Sequence, residues 1–519
     1  MALARTYSVA LVGVTGHVIE VEADIANGLP GMTLVGLPDT ALREARDRIR
    51  AAILNSGEDW PQRRITVGMS PASLPKRGSW FDLALAIGVL AAAGAVPRKA
   101  VAGVMFFGEL GLDGQLRSVR GVLPAVAAAV QRGFGTVMVA AENAAEAALV
   151  PDVRVIAAGS LTAAADWLRG APGLHPGVAP ATVFGSAELA AAAPPRHTYK
   201  NADLAEVLGQ SMARKALEIC AAGGHHLSLL GPPGAGKTML AERLPTILPQ
   251  LAAPQALEVT SIHSVAGALP GQVPLLTEPP FVAPHHTSSK AAIVGGGTGS
   301  LRPGAASLAH RGVLFLDEAP EFNRDVLDAL RQPLESGEIT LARSGVSAVF
   351  PSRFTLVLAA NPCPCAKAAG PGDGCSCTAA TRLRYLGKLS GPLMDRVDVK
   401  VELLPLGRKE LLNDRALAES SAVVAGRVAA ARERASARLA GTPWQLNAEV
   451  PGAELRRDWR PVRGSLGNLE HALERGQITA RGVAKVIRVA WTIADLTARA
   501  RPGPDECDEA LGLWLGVTR

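Results

Sequence analysis

The stretch "LSLLGPPGAGKTML", residues 227–240, constrains the fold of this chain more than any other feature. It matches the pattern G-x-x-x-x-G-K-[ST] from Gly231 to Thr238, between an apolar strand-like run and a helical run. The backbone N–H groups of such a loop and the amino terminus of its helix bind phosphate. The pattern predicts that Lys237 reaches the β- and γ-phosphates and that Thr238 binds Mg²⁺. The predicted nucleotide-binding residues are Gly231, Pro232, Pro233, Gly234, Ala235, Gly236, Lys237, Thr238 and Met239.

Two further apolar runs end in polar residues that suit nucleotide hydrolysis. The run "GVLFLDEAP", residues 312–320, ends in Asp317 and Glu318, and "FTLVLAANP", residues 354–362, ends in Asn361. We expect Asp317 to hold Mg²⁺, Glu318 to deprotonate the attacking water and Asn361 to bridge that water and the γ-phosphate. The alternatives are an exposed acidic turn and an asparagine that opens a turn. The acidic pair favours ATP hydrolysis over nucleotide sensing alone.

An arginine in "SGPLMDRVDV", residues 390–399, follows a short predicted helix. Arg396 at this place can reach the γ-phosphate bound by a neighbouring subunit and stabilise charge in the transition state. The alternative is a salt bridge to Asp395 or Asp398.

Composition indicates a folded, globular chain without membrane spans. Of its 519 residues 48% are hydrophobic, and the net charge of +6 permits nucleic-acid binding without requiring it. The most apolar run, residues 83–96, is too short to cross a bilayer and suits a buried core helix. The amino terminus lacks a signal-peptide pattern, so we expect a cytoplasmic protein whose cysteines are not in structural disulfides.

The chain divides into four segments by pattern. Residues 1–170 mix strand-like runs with Ala-rich helices, which predicts an α+β domain, and residues 171–199 form a Pro/Ala-rich linker. Residues 200–402 alternate strands, loops and helices around the nucleotide motif, which predicts an α/β core with a parallel sheet. Residues 403–519 are almost wholly helical.

Four cysteines cluster directly after the third strand, in "NPCPCAKAAGPGDGCSC". Cys363, Cys365, Cys375 and Cys377 form two C-x-C pairs that can close a tetrahedral, structural Zn²⁺ site. Free surface thiols and a redox-labile pair remain alternatives. The adjacent histidine pairs at 225–226 and 285–286 are interpreted as packing or hydrogen-bonding groups and not as metal ligands.

Several long stretches together resemble the ComM/YifB family of Mg-chelatase-like AAA+ ATPases. They include "VLGQSMARKALEICAAGGHHLSLLGPPGAGKT", "AANPCPC", "RYLGKLSGPLMDRVD" and, near the amino terminus, "GLPDTALREARDRIRAAILNSG". The resemblance implies a hexameric ring, a Lon-protease-like (ribosomal S5-like) amino-terminal domain and a carboxy-terminal helical lid. It also implies that Arg481 is the lid's sensor-2 arginine. The family often has arginine where this chain has Trp491, so Arg488 is a second candidate.

The Lon-like resemblance raises the question of proteolysis. Lys76 and Ser79 lie three residues apart, whereas the Lon serine and lysine lie on separate elements. The glycine-flanked nucleophile motif is also missing. We therefore expect residues 1–170 to be a docking or ring-stabilising module.

A β-hairpin is predicted between the second and third strands of the nucleotide core. "EITLA" and "SAVFP" alternate like strands, and "RSGV" joins them with a turn. In helicases of similar layout, such as the MCM family, this hairpin projects into the ring's pore. Its tip residues Arg343 and Ser344, with Lys290 and Arg302 of a glycine-rich insert, are candidate DNA-backbone contacts. The alternative is a subunit-packing hairpin with a solvated arginine.

The family resemblance implies an ATP- and Mg²⁺-dependent motor that promotes branch migration of DNA during recombination or natural transformation. The expected partners are single-stranded or branched DNA and five further copies of the chain, with recombination proteins as candidates. Two alternatives stay open: a Mg-chelatase-like ATPase that remodels a partner protein, and an ATP switch that assembles complexes without translocating.

Overall fold

The computed structural model describes most of the chain. The described residues are 2–36, 40–74, 76, 78–171, 182–184, 202–269, 275–297, 301–343, 346–365, 367, 375–405 and 418–516. Most of the predicted linker 171–199, and Ser344 of the predicted hairpin tip, lie outside them. Among these residues no helix is both long and apolar enough to span a lipid bilayer.

The amino-terminal part is built on an eight-stranded mixed sheet with strand order β10-β9-β8-β5-β1-β2-β4-β3. These strands are β1 Ala2–Val12, β2 Thr15–Ala26, β3 Gly31–Val35, β4 Arg64–Ser70, β5 Val104–Phe107, β8 Thr136–Ala140, β9 Arg154–Ala158 and β10 Thr182–Phe184. A small ribbon pairs β6 Glu109–Leu110 with β7 Leu116–Arg117. Antiparallel β1 and β2 form the longest ladder, and β5, β8 and β9 run parallel.

Helices cover both faces of this sheet and bury two apolar clusters. They are Thr40–Asn55, Asp82–Ala93, Arg98–Val101, Val122–Gln131, Ala144–Ala147 and Leu161–Leu168, with 3-10 turns Ser79–Phe81 and Ala141–Asn143. Helix Asp82–Ala93 is buried along residues 82–92, which confirms the predicted core helix. The mixed α/β architecture is as expected, and the Lon-like likeness stays a prediction.

The nucleotide core contains a second, five-stranded sheet in the order β12-β15-β18-β11-β19, and all of its strand pairs are parallel. These strands are β11 Leu227–Leu230, β12 Phe281–Val282, β15 Val313–Leu316, β18 Thr355–Ala360 and β19 Val399–Glu402. The carboxyl ends of parallel strands share one edge of a sheet, so the residues that follow β11, β15 and β18 come together there.

Short helices and two ribbons surround this sheet. The helices are Ser211–Gly223, Lys237–Ile247, Ala253–Ala266, Lys290–Val294, Ala305–Leu308, Arg324–Ala329, Pro333–Ser336, Ala379–Leu386 and Gly391–Met394, with 3-10 turns Leu204–Glu206 and Ala319–Glu321. The ribbons pair β13 Gly295–Gly296 with β14 Arg302–Pro303, and β16 Glu338–Arg343 with β17 Val346–Pro351. The predicted hairpin between β15 and β18 is therefore present.

A helical segment completes the chain and shares an apolar core with the parallel sheet. Its helices are Ser421–Arg438, Gly452–Arg457, Gly467–Glu474, Ala480–Leu496 and Pro504–Leu515, with a 3-10 turn Asn447–Glu449. Buried Val424, Ile487 and Trp491 belong to the same cluster as Leu229 and Val401 of the sheet. Separating the helices from the sheet would expose this common core.

The amino-terminal part packs against the nucleotide core at two places. The Glu146 carboxylate accepts from Leu123 N at 2.9 Å and from the Ser264 hydroxyl across the contact. Burial raises the pKa of Glu146. At the second place, a Cβ built on Gly13, in the β1–β2 turn, would lie 2.9 Å from the carbonyl oxygen of Val349 on the hairpin strand β17. The β1–β2 turn and the hairpin therefore touch at the backbone.

A buried polar network joins the helical segment to the amino ends of the parallel strands. Lys485 Nζ lies 2.6 Å from Asp398 Oδ1, and both side chains are less than a tenth exposed. His225 lies beside them, with Nε2 at 2.7 Å from Thr492 Oγ1. Burial lowers the pKa of His225 to about 4, against the opposing pull of Asp398. A neutral His225 thus belongs to the native packing.

The His225 contact predicts a stability loss in mild acid. Its folded pKa lies below the ordinary value, so the unfolded chain binds a proton first as the pH falls from 6.5 towards 4. The free energy of unfolding should then decrease by up to about 3 kcal/mol from this group, at about 1.4 kcal/mol per pKa unit. Calorimetric midpoints between pH 7 and 4.5 should fall less for His225→Gln than for wild type. The control is His471→Gln, which changes an exposed histidine. If the unfolding midpoint fell equally with pH in all three proteins, the prediction would be contradicted.

Candidate nucleotide-binding site

The phosphate loop lies between β11 and helix Lys237–Ile247, at the carboxyl edge of the parallel sheet. Gly234 and Gly236 have φ values of 75° and 91°, a backbone region that favours glycine. The two glycines turn the chain so that the helix begins at Lys237. Amide groups at this amino terminus have no partner within the helix and suit an anion.

Lys237 spans the loop and reaches the third strand of the site. Its Nζ donates to the carbonyl oxygens of Gly231 at 2.6 Å and Pro232 at 2.9 Å, and to Asn361 Oδ1 at 2.9 Å. Burial lowers the pKa of Lys237, while the nearby Asp317 and Glu318 carboxylates oppose that shift. The ammonium group and the Asn361 amide therefore face the same space above the loop.

Thr238 and Asp317 form an oxygen pair that suits Mg²⁺. Thr238 Oγ1 donates to Asp317 Oδ2 at 2.7 Å, and Asp317 Oδ1 accepts from the backbone N–H of Glu318 at 2.9 Å. Hydroxyl and carboxylate oxygens are the ligands that Mg²⁺ takes beside phosphate oxygens. The residues present therefore fit the ion.

Glu318 stands at the end of β15 in a left-handed conformation, with φ 50°. Its side chain is half exposed, and Oε2 lies 3.3 Å from His286 Nδ1. The sequence interpretation gave His286 a packing or hydrogen-bonding role but did not identify Glu318 as its partner. No spacing rule connects the two, since they come from different loops. Among the described residues, neither predicted histidine pair belongs to a metal-ligating cluster.

Tyr385 is a second neighbour of the site that sequence reasoning missed. Burial raises its pKa to about 12, and the carboxylates of Glu321 and Glu318 add to the rise. The tyrosine lies on helix Ala379–Leu386, which follows the cysteine loop. It therefore connects that loop to the acidic end of β15.

Arg396 lies at the opposite edge of the sheet from the phosphate loop, because it precedes β19 whereas the loop follows β11. Its Nη2 lies 2.5 Å from Glu335 Oε1, so neither Asp395 nor Asp398 is its partner as the alternative supposed. Arg481 pairs with the same Glu335 oxygen. Arg396 and Arg481 therefore form one cluster with Glu335 at the edge of the sheet opposite the phosphate loop.

The two candidate lid arginines are in different surroundings. Arg481 is half exposed at the start of helix Ala480–Leu496, beside Arg396. Arg488, on the same helix, is largely buried and donates from Nε to the carbonyl oxygen of Val450 at 2.7 Å. The geometry favours Arg481 as the arginine that can meet a phosphate.

The four cysteines of the loop after β18 come together. Their Sγ atoms all lie within 4.8 Å of one another. Cys363 and Cys375 are 3.1 Å apart, and Cys365 and Cys375 are 3.3 Å apart. Cys363 follows Asn361 by two residues, so the cluster adjoins the carboxyl end of the strand that carries Asn361.

Of the candidate DNA-binding residues, Arg343 and Arg302 lie on two neighbouring ribbons, and Lys290 begins the short helix that precedes β13. Arg343, at the end of β16, donates to the carbonyl oxygen of Gly297 in the glycine-rich insert. Arg302 on β14 and Lys290 are exposed. The two ribbons therefore touch and present basic side chains to solvent on one side of the core.

Lys76 and Ser79 do not form a catalytic dyad. The buried Lys76 donates to the carbonyl oxygen of Pro71, and burial lowers its pKa. Ser79 Oγ pairs with Glu109 instead. The arrangement agrees with the rejection of a Ser–Lys protease site.

Comparison with known proteins covers nearly the whole chain. Residues 21–143 match the family described as subunit ChlI of Mg-chelatase, 203–411 that described as magnesium chelatase, subunit ChlI, and 418–513 its C-terminal part. The competence protein ComM of Haemophilus influenzae is 41% identical over 519 residues, or 99% of this chain and 97% of that protein. YifB of Escherichia coli is 40% identical over 497 residues, 96% and 94% of the two chains. An uncharacterized Mycobacterium tuberculosis protein is 53% identical over 511 residues, 98% of each.

The site predicts a separation of nucleotide binding from turnover. Glu318→Gln should bind ATP but hydrolyse it about 10²–10⁴-fold more slowly, because the proton acceptor for water is lost. Lys237→Ala should lose binding itself. The measurements are fluorescent-nucleotide binding and phosphate release, with Glu321→Gln as the control that changes the same charge three residues away. Near-normal hydrolysis by Glu318→Gln would refute its role.

Proposed function

The chain belongs to the ComM/YifB family of Mg-chelatase-like proteins, and on this premise we propose that it is a ring-forming ATPase that moves branched DNA. The observation that carries the proposal is the placement of the β16–β17 hairpin. It connects β15, which ends at the hydrolytic carboxylates, to β18, which ends at Asn361. A change at the γ-phosphate can therefore act on the ends of the paired strands β15 and β18. The hairpin between them in the chain can carry that change to the exposed Arg343.

The hydrolytic step is assigned to side chains at the carboxyl edge of the sheet. Glu318 takes the proton of the attacking water, and His286 holds its carboxylate in position. Lys237 and the Asn361 amide stabilise the negative charge that develops at the γ-phosphate. Thr238 and Asp317 would hold Mg²⁺, and the ion when bound would offset the negative charge of the phosphate oxygens.

The position of the two arginines supports the proposed ring. Arg396 and Arg481 lie away from their own phosphate loop, so they act on the nucleotide of an adjacent subunit. An interface that joins one edge of the sheet to the opposite edge of the next copy is heterologous, and it gives a ring when the rotation between copies closes. The family resemblance suggests six subunits.

The DNA path is assigned to the two ribbons. Arg343, Arg302 and Lys290 are exposed cations without an aromatic among them, a set that contacts phosphates but does not stack on bases. Binding of this kind does not read sequence. The Haemophilus relative is named a competence protein, which agrees with a role in natural transformation. Branch migration of DNA, with recombination proteins as candidate partners, is our proposal for that role.

The second candidate function is the remodelling of a partner protein. It is favoured by the match of three separate segments to magnesium-chelatase families. The two functions differ in one simple measurement: DNA should increase the ATPase rate only of a DNA motor.

We further propose that the cysteine cluster holds one structural Zn²⁺. Four thiol groups within reach of one point match the tetrahedral ligand set of structural zinc. Since Cys363 lies two residues after Asn361, the ion would fix the end of the sensor strand.

The DNA path predicts a selective loss in Arg343→Ala. This variant should keep its DNA-free ATPase rate, because Arg343 does not contact the phosphate loop, but lose DNA stimulation and strand exchange on a four-way junction. Arg475→Ala, which removes an exposed arginine of the helical segment, is the control. Wild-type DNA binding should weaken steeply with salt, because phosphate contacts release counter-ions. Unchanged activity on the junction would place the DNA path elsewhere.

The zinc proposal predicts about one Zn per chain by elemental analysis, from the four-thiolate count. The double variant Cys375→Ser, Cys377→Ser should lose the metal and the order of the loop around Asn361. Cys507→Ala, a buried cysteine far along the chain, should retain it. Metal-free protein after purification without chelators would overturn the proposal.

A further inference from the structure

Glu335 pairs with both arginines that the proposed ring needs and offsets one of their two positive charges. Its Oε1 lies 2.5 Å from Arg396 Nη2 and also accepts from Arg481 Nη2. The three residues come from separate elements: helix Pro333–Ser336, the turn before β19, and helix Ala480–Leu496. The carboxylate therefore occupies the place between the two guanidinium groups.

A buried contact holds together the backbone segments that carry the two arginines, whereas Glu335 lies on a short helix with its side chain half exposed. Lys485, one helical turn after Arg481, donates from Nζ to the backbone oxygen of Arg396 at 2.8 Å and to Asp398 at 2.6 Å. This buried contact holds the Arg396 turn against the helix that carries Arg481. Glu335 is half exposed and lies on a helix of four residues. If one partner of this cluster moves, we expect it to be the glutamate.

The cluster opens into a cavity of about 1300 Å³ between the amino edge of the sheet and the helical segment. Positive side chains outnumber negative ones in its wall. The cations are Arg311, Arg353, Arg396, Arg432, Arg456, Arg481, Lys485 and Arg488, and the acids are Glu335, Asp398 and Glu449. Such a cavity favours an incoming anion.

We propose that Glu335 is a resident counter-ion that the γ-phosphate of the adjacent subunit's ATP displaces. The inference rests on the proposed sharing of the ATP site between subunits. A phosphate accepts from two guanidinium groups in the way that the Glu335 carboxylate does here, and it carries more charge. The glutamate thus prevents an empty interface from adopting the catalytic arrangement.

Displacement of Glu335 would also act directly on the proposed DNA-binding hairpin, because the two are adjacent in the chain. Glu335 precedes Glu338, the first residue of β16, by three residues, and β16 ends at Arg343. Release of the carboxylate frees the base of the hairpin from Arg396 and Arg481. The nucleotide of one subunit is therefore sensed by the hairpin of the next.

The test is nucleotide-driven ring assembly by Glu335→Gln, followed by sedimentation velocity without DNA. Removal of the competing charge should lower the ATP concentration at half-assembly by about fivefold, a modest coupling between sites. The DNA-free ATPase rate should rise in parallel. A merely structural glutamate would instead raise that concentration when removed. Glu338→Gln is the matched control, because Glu338 forms no ion pair among the described residues.

A double-mutant cycle with Arg481→Ala completes the test. In the Arg481→Ala background, Glu335→Gln should change the ATP concentration at half-assembly by less than twofold, because the contact between Glu335 and Arg481 is already missing. Glu335→Asp, which keeps the charge, should behave like wild type and shows that the site tolerates substitution. The proposal would be overturned if Glu335→Gln left the ATP concentration at half-assembly unchanged or raised it. It would also be overturned if Glu335→Gln caused the same shift in the Arg481→Ala background as in the wild-type protein.

The Arg396→Ala variant distinguishes a failure of this inference from a failure of the shared ATP site on which it rests. Full ATPase activity in Arg396→Ala would refute the shared site itself. Loss of activity in Arg396→Ala, together with an unshifted Glu335→Gln, would refute only the role of the glutamate.

Discussion

Parallel pairing of the five central strands is the constraint on which the rest of the structure depends. It places the ends of β11, β15 and β18 at one edge, where the phosphate loop, the acidic pair and Asn361 meet. The same pairing sends the turn before β19, with Arg396, to the other edge. In the ring that we propose, one copy of the chain would hold the binding half of a site on one edge and the arginine half of another site on the opposite edge.

Features that depend on residues close together in the chain could be predicted from the sequence. The glycine loop, the apolar strands with their polar ends, the hairpin between β15 and β18 and the clustering of Cys363 with Cys375 all follow from spacing along the chain. The partners of Arg396 and Glu318 could not be predicted in this way. Glu335 and His286 reach them from other elements, and several acids near Arg396 in sequence were equally plausible partners. Only tertiary packing chooses among them.

The buried network around Lys485 explains why the helical segment is part of the nucleotide core and not an appendage. Its charge is compensated by Asp398 and by the carbonyl oxygen of Arg396, so neither partner can leave without exposing an unpaired buried charge. Because the cost of separation is high, the amino edge of the sheet and helix Ala480–Leu496 should move as one body.

The contact of the β1–β2 turn with the hairpin bears on how shortened forms of the protein should be compared. β1 and β2 extend for 11 and 12 residues, and the turn between them meets strand β17 at Val349. A chain that began after residue 199 would keep the phosphate loop, the acidic pair and Asn361 but lose the surface that contacts the hairpin on that side. ATP turnover by such a truncated form would report on the nucleotide site alone. For the DNA motor that we propose, processivity measured on the truncated form would not represent the longer chain, because its hairpin would move without that restraint.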